Sequence, residues 1–335
     1  MERRDFLKTA VAAGVTVAAG AQVPSKSAQV TRPQMPGMIY RELGTTGETV
    51  SAIGLGGYHI GKQKEQAESI KLVRTAMERG ITFLDNCWDY NDGISEVRMG
   101  WALKEGYRQK AFLMTKLDGR TTEEYNKQLE QSLGRLQTEM IDLVQFHEVI
   151  RMEDPDRIFA PGGAMEAAIA AKQAGKIRFI GFTGHKDPAV HLRMFEVAEK
   201  HGFKFDTVQM PVNVMDAHFR SFAKQVMPVA LKAGTGVLAM KTFGDHYILD
   251  TGLVPPIDML HYGLTQPVSV VITGIDKMEF LDQAINAAKT FQPLTQAQMD
   301  SMLAKTVEAA NTGKYELFKT TSHFDGTAHN PKWLG

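Results

Sequence analysis

The stretch Phe83-Leu84-Asp85-Asn86-Cys87-Trp88-Asp89-Tyr90 decides how the rest of the chain is read. With Ile81 before it, it begins apolar, as a parallel strand buried on both faces does. It then turns polar, and Asn91-Asp92-Gly93 is a turn cluster. A carboxylate, Asp85, therefore stands where the strand ends, and Tyr90 stands in the loop above it. Two later segments repeat the design. Ala111-Phe112-Leu113-Met114-Thr115 delivers Lys116, and Ile141-Asp142-Leu143-Val144-Gln145-Phe146 delivers His147. In an α/β barrel, side chains at the carboxyl ends of different strands converge on one mouth. Asp85, Tyr90, Lys116 and His147 would meet there.

Working outward, apolar runs alternate with helical spacing from Met38 onward, the pattern of a parallel α/β fold. Residues 39–53 read as a small hairpin ahead of that fold, and 53–57 as the first barrel strand. In 65–79, Ile70, Val73, Ala76 and Met77 fall at helical spacing, and Gly80 closes the helix. A helix over 95–104 separates the strands that end at Asp85 and Lys116. Thr121-Thr122-Glu123-Glu124 opens a helix with Leu129, Leu133 and Leu136 on one face. After His147 come a loop over 148–161, a helix over 163–174, a strand over 177–182, a helix over 189–200 and a strand over 207–210. A helix over 222–232, strands over 236–240 and 268–273 and a helix over 280–289 bring the strands to eight, the count of a (β/α)8 TIM barrel spanning 38–311. A last helix covers 295–310, and the tail 312–335 reads as irregular, with His323, Phe324 and Trp333 in it. A doubly wound sheet would need Gly-x-Gly-x-x-Gly after the first strand. Gly54-Leu55-Gly56-Gly57-Tyr58-His59 lacks the third glycine, and there is no phosphate-loop motif.

Composition narrows the function. Lys plus Arg equals Asp plus Glu, 38 of each, which gives no support to a nucleic-acid or anionic-membrane partner. Cys87 is the one cysteine, so an intramolecular disulfide and Cys-x-x-Cys metal motifs are excluded. The ten histidines show no His-x-x-x-His or His-Glu-x-x-His spacing, and no metal is expected.

Residues 1–21 stand apart from the fold. Arg3-Arg4-Asp5-Phe6-Leu7-Lys8 precedes a mild, small-residue run ending Ala19-Gly20-Ala21, too short for a stable membrane span. This resembles a twin-arginine export signal. It implies the export machinery as a partner and a periplasmic or otherwise exported location, or a cytoplasmic one if the signal is not used. Residues 22–37, with three prolines, read as a linker.

The four strand-end residues suggest a chemistry. Hydride addition to a carbonyl leaves negative charge growing on oxygen, so a donor must meet that oxygen. Tyr90 is the candidate acid. A free tyrosine has a pKa near 10; Lys116 beside it is expected to lower that value, Asp85 to hold Lys116 charged, and His147 to orient the substrate oxygen or relay the proton. Trp88 either lines the pocket or plugs the barrel. His59 and His185 are read as loop histidines and Cys87 as a small buried filler. Substrate choice would fall to the loops after His147 and His246 and to the tail, through Arg151, Met152, Asp154, Phe159, Tyr247, Phe324 and Trp333.

Asp85, Tyr90, Lys116 and His147 in this order resemble the catalytic tetrad of the aldo-keto reductases. Gly162-Gly163-Ala164-Met165-Glu166-Ala167 and the segment from Ala174-Gly175-Lys176 to Phe182-Thr183-Gly184-His185 are also similar to that family. The resemblance runs from Met38 to about Thr295. It implies a (β/α)8 barrel and NADPH-dependent reduction of an aldehyde or ketone, with NAD as the other possible cofactor. It further implies that Thr183, Gly184 and Gln209 hold the nicotinamide amide. Met240 stands where an aromatic commonly stacks on the ring, and Lys241 belongs to the same segment. Gly274, Asp276 and Lys277 match a phosphate-gripping segment, with Lys277 facing a 2′-phosphate, and Gln283 stands at the adenine clamp. Two other readings use the same residues. One is a Schiff-base aldolase working through Lys116. The other is a non-catalytic nucleotide-binding sensor or accessory protein.

Overall fold

The computed structural model describes residues 32–335, so the export signal and the first part of the linker lie outside the described residues. Eight parallel strands close into a barrel. They are β3 (Ile53–Gly56), β4 (Phe83–Leu84), β5 (Phe112–Leu117), β6 (Ile141–Phe146), β7 (Ile177–Thr183), β8 (Thr207–Pro211), β9 (Gly236–Met240) and β10 (Val270–Gly274). Strand β10 pairs with β3 to complete the ring, Val271 opposite Ile53. Ahead of it, β1 (Tyr40–Glu42) and β2 (Thr49–Ser51) form the expected antiparallel hairpin. Leu43 and Val50 of this hairpin pack on Phe83, Phe112, Leu143 and Leu238 inside the barrel, so the hairpin stoppers its amino-terminal end. Gly44 lets it do so. Its φ is +54°, and a Cβ there would stand 2.4 Å from the Gly236 backbone nitrogen.

The outer helices follow their local signals. Helix α1 (Gln66–Glu78) buries Leu72, Val73, Ala76 and Met77, and α2 covers Ile94–Ala102. Helix α3 (Thr122–Leu136) is capped by Thr121, whose hydroxyl accepts the Glu124 N–H, and buries Leu129, Leu133 and Leu136 as read. Three expectations need correction. The loop over 148–161 contains a short helix, Asp154–Phe159. The helix expected over 222–232 is two pieces, Phe222–Gln225 and Met227–Lys232, because Pro228 has no N–H to give to the ladder. A helix over Pro256–Thr265 was not read; Pro256 is its first residue, a favoured start that a loop reading mistakes for a break. Among the described residues no helix is long and apolar enough to cross a membrane.

Arg32, read as part of a linker, is 6% exposed. It pairs with Glu48 (2.5 Å) and Asp142 (3.0 Å) under the barrel floor. Asp142 also takes Arg178 (2.7 Å), Arg108 (2.9 Å) and the Leu113 N–H (3.0 Å). Asp142→Ala leaves three guanidinium groups with one shared carboxylate fewer. The expected loss is about 3–5 kcal/mol, the range for breaking a buried ion pair. Urea unfolding checks it; a loss below about 1 kcal/mol means the arginines re-pair with Glu48 alone.

Candidate active site

Asp85 follows β4 directly and gives its N–H to the Leu55 carbonyl (2.9 Å), so it is tied to the carboxyl end of the sheet. Lys116 is the penultimate residue of β5, and His147 follows β6, donating its N–H to Leu117 O (2.8 Å). Tyr90 is placed by the turn that the sequence signalled. Asn91, Asp92 and Gly93 have φ of +53°, +55° and +84°, reversing the chain into α2. Asn91 donates to Tyr58 O (2.7 Å), and the Arg135 guanidinium donates to Trp88 O (2.7 Å) so closely behind Gly93 that a Cβ there would meet it at 2.3 Å.

The four side chains meet as expected. Lys116 Nζ lies 2.5 Å from Asp85 Oδ1, 2.7 Å from Asn86 O and 3.1 Å from the Tyr90 hydroxyl. It donates hydrogen bonds to Asn86 O and the Tyr90 hydroxyl and forms an ion pair with Asp85. Because Lys116 donates to the Tyr90 oxygen, the phenolic hydrogen is left to point elsewhere. Tyr90 meets His147 edge-on, with ring centres 6.1 Å apart.

Electrostatics depart from the expectation at Tyr90. Burial, reinforced by the Asp85 carboxylate, raises the phenol well above its ordinary pKa rather than lowering it. Tyr90 is thus held as a proton donor. Burial also raises Asp85, against the pull of Lys116. At His147 burial acts to lower the pKa, but the Asp89 and Asp118 carboxylates outweigh it and lift it to about 9. Burial outweighs the His147 charge at Asp89 and raises that carboxyl to about 6. Asp118 Oδ1 stands 2.9 Å from His147 Nδ1. A carboxylate only accepts, so Nδ1 carries a hydrogen, and Nε2 also carries one only while the ring is an imidazolium.

Sequence reading missed Asp89 and Asp118. Asp118 is fully buried, and only its position just past a strand end could have flagged it. Cys87 is buried as expected, with Sγ 3.3 Å from His147 Nδ1. Cys87, Asp89 and His147 bring three ligand-type atoms within 4.8 Å, a cluster that no sequence spacing signals. Burial and Asp89 raise the Cys87 thiol well above its usual range, which opposes the thiolate that a metal would take.

A cavity of about 540 Å³ opens above the tetrad. Thr183, Gln209, Met240, Lys241 and Gly274 line it; Gly184, Asp276, Lys277 and Gln283 do not. Gly184 instead packs on Val149 O. Lys277 starts the helix Met278–Thr290 with its side chain 64% exposed. His59 and His185 do face the cavity, against their reading as loop histidines. Of the residues proposed for substrate choice only Phe324 lines it. Asp154 is fully buried against Arg120, and Phe159 is in the core. Trp88 lies outside the cavity lining, bonded to Gln131 and edge-on to Trp333.

The tail is ordered by the site itself. Glu148, next to His147, takes the N–H groups of Gly326 (2.9 Å) and Thr327 (2.7 Å), which include the start of the short helix Gly326–His329. Asp325 binds His185 (3.0 Å) and Lys186 (2.7 Å). These bonds place Phe324 and His329 in the cavity wall.

The residues also suit a nicotinamide cofactor. Gln209 is 1% exposed, and its Oε1 has no hydrogen-bond partner among the described residues. A buried acceptor of that kind wants a donor such as an amide NH₂.

Comparison with known proteins agrees with this architecture. The model of the "Aldo/keto reductase family" matches residues 52–252. Aldo-keto reductase YhdN of Bacillus subtilis is 31% identical over 212 residues, 58% of this chain and 58% of that protein. L-galactose dehydrogenase of Arabidopsis thaliana is 33% identical over 156 residues, 43% of this chain and 48% of that protein. The chain thus spans about half to three-fifths of the length of these curated relatives. The holo form of aldo-keto reductase AKR11C1 from Bacillus halodurans shares the fold, with a TM-score of 0.68 at 23% identity over 83% of this chain and 99% of that one. Since the family model covers most of the closed barrel, including every strand end that carries Asp85, Lys116 and His147, the chain belongs to the aldo/keto reductase family.

Proposed function

We propose that the chain reduces an aldehyde or ketone to an alcohol, with NADPH as donor and Tyr90 as general acid. The observation that carries this reading is Lys116 Nζ, shared among Asp85, Asn86 O and the Tyr90 hydroxyl at the base of the cavity. When bound, the cofactor supplies a hydride to the carbonyl carbon. Tyr90 gives its proton to the carbonyl oxygen as charge builds there. With its pKa raised by burial, Tyr90 carries its proton at neutral pH, and release of that proton depends on the charges beside it. The Lys116 ammonium, 3.1 Å away, stabilises the phenolate left behind. Asp85 keeps the ammonium in place. His147, as an imidazolium, offers an Nε2 hydrogen to the same carbonyl oxygen and orients it. Gln209 and Thr183 would receive the carboxamide. Lys277, exposed and 3.8 Å from Glu279, is available to a 2′-phosphate, the basis for preferring NADP over NAD.

The Schiff-base reading fits less well. It needs Lys116 free of its proton, whereas three acceptors including a carboxylate surround it. Purified protein is tested by following NADPH consumption across a panel of aldehydes and ketones, with NADH alongside. Turnover with NADPH supports the reading; borohydride-trapped adducts at Lys116 without NADPH turnover overturn it.

A pH prediction follows from His147. Its folded pKa of about 9 exceeds the ordinary 6.5. The charged ring is thus fully present below pH 6.5 and is lost as pH rises through about 9. Reductive kcat/KM should fall on that limb, because neutral His147 keeps its hydrogen on Nδ1 and loses it from Nε2. Asp118→Asn removes one of the three carboxylates that raise it, so the limb should move down by about one unit or more. An unmoved limb in the pH profile of kcat/KM means another group titrates there.

The export reading is carried forward as a proposal on Arg3-Arg4 and Ala19-Gly20-Ala21. Intact mass of protein from the periplasm tests it; a mature chain beginning near Gln22 is the expected result.

A further inference from the structure

Asp89 lines the cavity one residue before Tyr90, with its side chain 14% exposed. Its Oδ1 is buried and has no hydrogen-bond partner among the described residues. That oxygen stands 3.8 Å from His147 Nδ1, which gives its hydrogen to Asp118 at 2.9 Å. The second oxygen, Oδ2, lies toward the tail. A Cβ on Gly326 would come within 3.3 Å of it, so the glycine spares the carboxylate a close apolar neighbour.

Negative charge is in excess at this end of the cavity. Lys116 is matched by Asp85. The His147 imidazolium is shared by three carboxylates, Asp89, Asp118 and Glu148. Of these, Glu148 also takes the Gly326 and Thr327 N–H groups. No lysine or arginine pairs with Asp89 among the described residues. Lys62 and Lys241, the other ammonium groups in the cavity wall, stand over the rings of Tyr58 (4.4 Å) and Phe324 (4.0 Å). The remaining carboxylate of the wall, Asp245, is exposed and acts on Lys241 and His59. With its pKa at about 6, Asp89 is ionised at neutral pH. A carboxylate held away from water beside like charges is costly, and an arriving cation relieves that cost. A neutral hydroxyl would give it a hydrogen bond and leave the excess charge in place.

We infer that Asp89 is a specificity residue that receives an ammonium group carried by the carbonyl substrate, so that the preferred substrates are aldehydes or ketones with a cationic amine a few bonds from the carbonyl. Its place beside His147, which orients the carbonyl oxygen, sets that short spacing. The inference rests on reading the cavity as a carbonyl-reducing site.

The test compares γ-(trimethylammonio)butyraldehyde with its carbon isostere, in which a tert-butyl group replaces the trimethylammonium. The two differ in charge and hardly in shape, and the quaternary nitrogen neither cyclises onto the aldehyde nor donates a hydrogen bond. The wild-type chain should favour the cation in kcat/KM by about 10-fold or more. Asp89→Asn keeps the side-chain shape and should abolish that preference, mainly through KM for the cation. Any effect of the substitution on His147 falls on both aldehydes alike, so the ratio of the two kcat/KM values is the readout. Asp245→Asn should leave the ratio within about twofold. No preference in the wild type overturns the inference. So does an unchanged ratio in Asp89→Asn, which would mean that Asp89 acts only through His147. A preference lost in Asp245→Asn and kept in Asp89→Asn places the cation elsewhere and overturns it too. If the wild-type chain turns over no carbonyl with NADPH, the carbonyl-reducing reading fails instead. The cation site is then read by thermal protection with the corresponding trimethylammonio alcohol. Protection lost in Asp89→Asn supports the site, and protection unchanged in Asp89→Asn, or none in the wild type, refutes it.

Discussion

Tyr90→Phe should lower kcat by about 10²- to 10⁴-fold while leaving NADPH affinity within about twofold. The substitution removes one oxygen and keeps the ring, which packs edge-on against His147 and Tyr58. The fold should therefore tolerate it. What is lost is the proton donor and the acceptor for Lys116 Nζ. The ammonium keeps Asp85 and Asn86 O, so the local charge balance survives. Stopped-flow turnover with a carbonyl substrate and a parallel fluorescence titration separate the two effects. A kcat within about fivefold of wild type would assign the acid to another group, and the charged His147 would be first in line. Loss of NADPH binding would mean Tyr90 shapes the cofactor seat rather than the chemistry.

Lys116→Met should damage stability and activity together, for separable reasons. Lys116 is 1% exposed and Asp85 4%. Removing the cation leaves a buried carboxylate alone, a change that typically costs about 3–5 kcal/mol. The variant's loss should depend on pH. Burial already raises the Asp85 pKa above that of the unfolded chain, so the folded state holds the proton more tightly. Stability contributed by that proton is present at low pH and is lost as pH rises through the raised value. Without Lys116 the raise is larger, so urea unfolding should show the deficit growing from acid to neutral pH. Asp85→Asn combined with Lys116→Met removes both charges and should restore most of the stability. Its kcat should stay depressed by on the order of 10²-fold or more, because nothing then stabilises the Tyr90 phenolate. Recovered activity in the double variant would reduce the Asp85–Lys116 pair to a structural element.

The family assignment and the proposed chemistry therefore rest on different supports. The barrel and the family are established by topology and by the match over residues 52–252. The roles of Tyr90, Lys116 and His147 are geometric readings that the variants above decide.

By itself the sequence determined what short-range pattern can encode. Strand and helix periods, the abrupt polar ends after Leu84 and Phe146, and the Asn91-Asp92-Gly93 turn set the barrel and brought Asp85, Tyr90, Lys116 and His147 together. These signals are local because a strand end and a turn are decided within a few residues. Tertiary structure alone decided the rest. Glu148 captures the tail across 178 residues of sequence, and Arg32 reaches Asp142 across 110. At such separations no spacing rule applies. Asp118 reads as one more loop acid until the fold sets it against His147 Nδ1, where together with Asp89 and Glu148 it outweighs burial and keeps the ring charged. Lys241 reads as one more lysine until the fold half-buries it against the rings of Phe324 and Phe318. A side chain's charge is written in the sequence, but its solvent and its counterion are supplied by segments distant along the chain, and only the folded arrangement makes that charge available for binding or for catalysis.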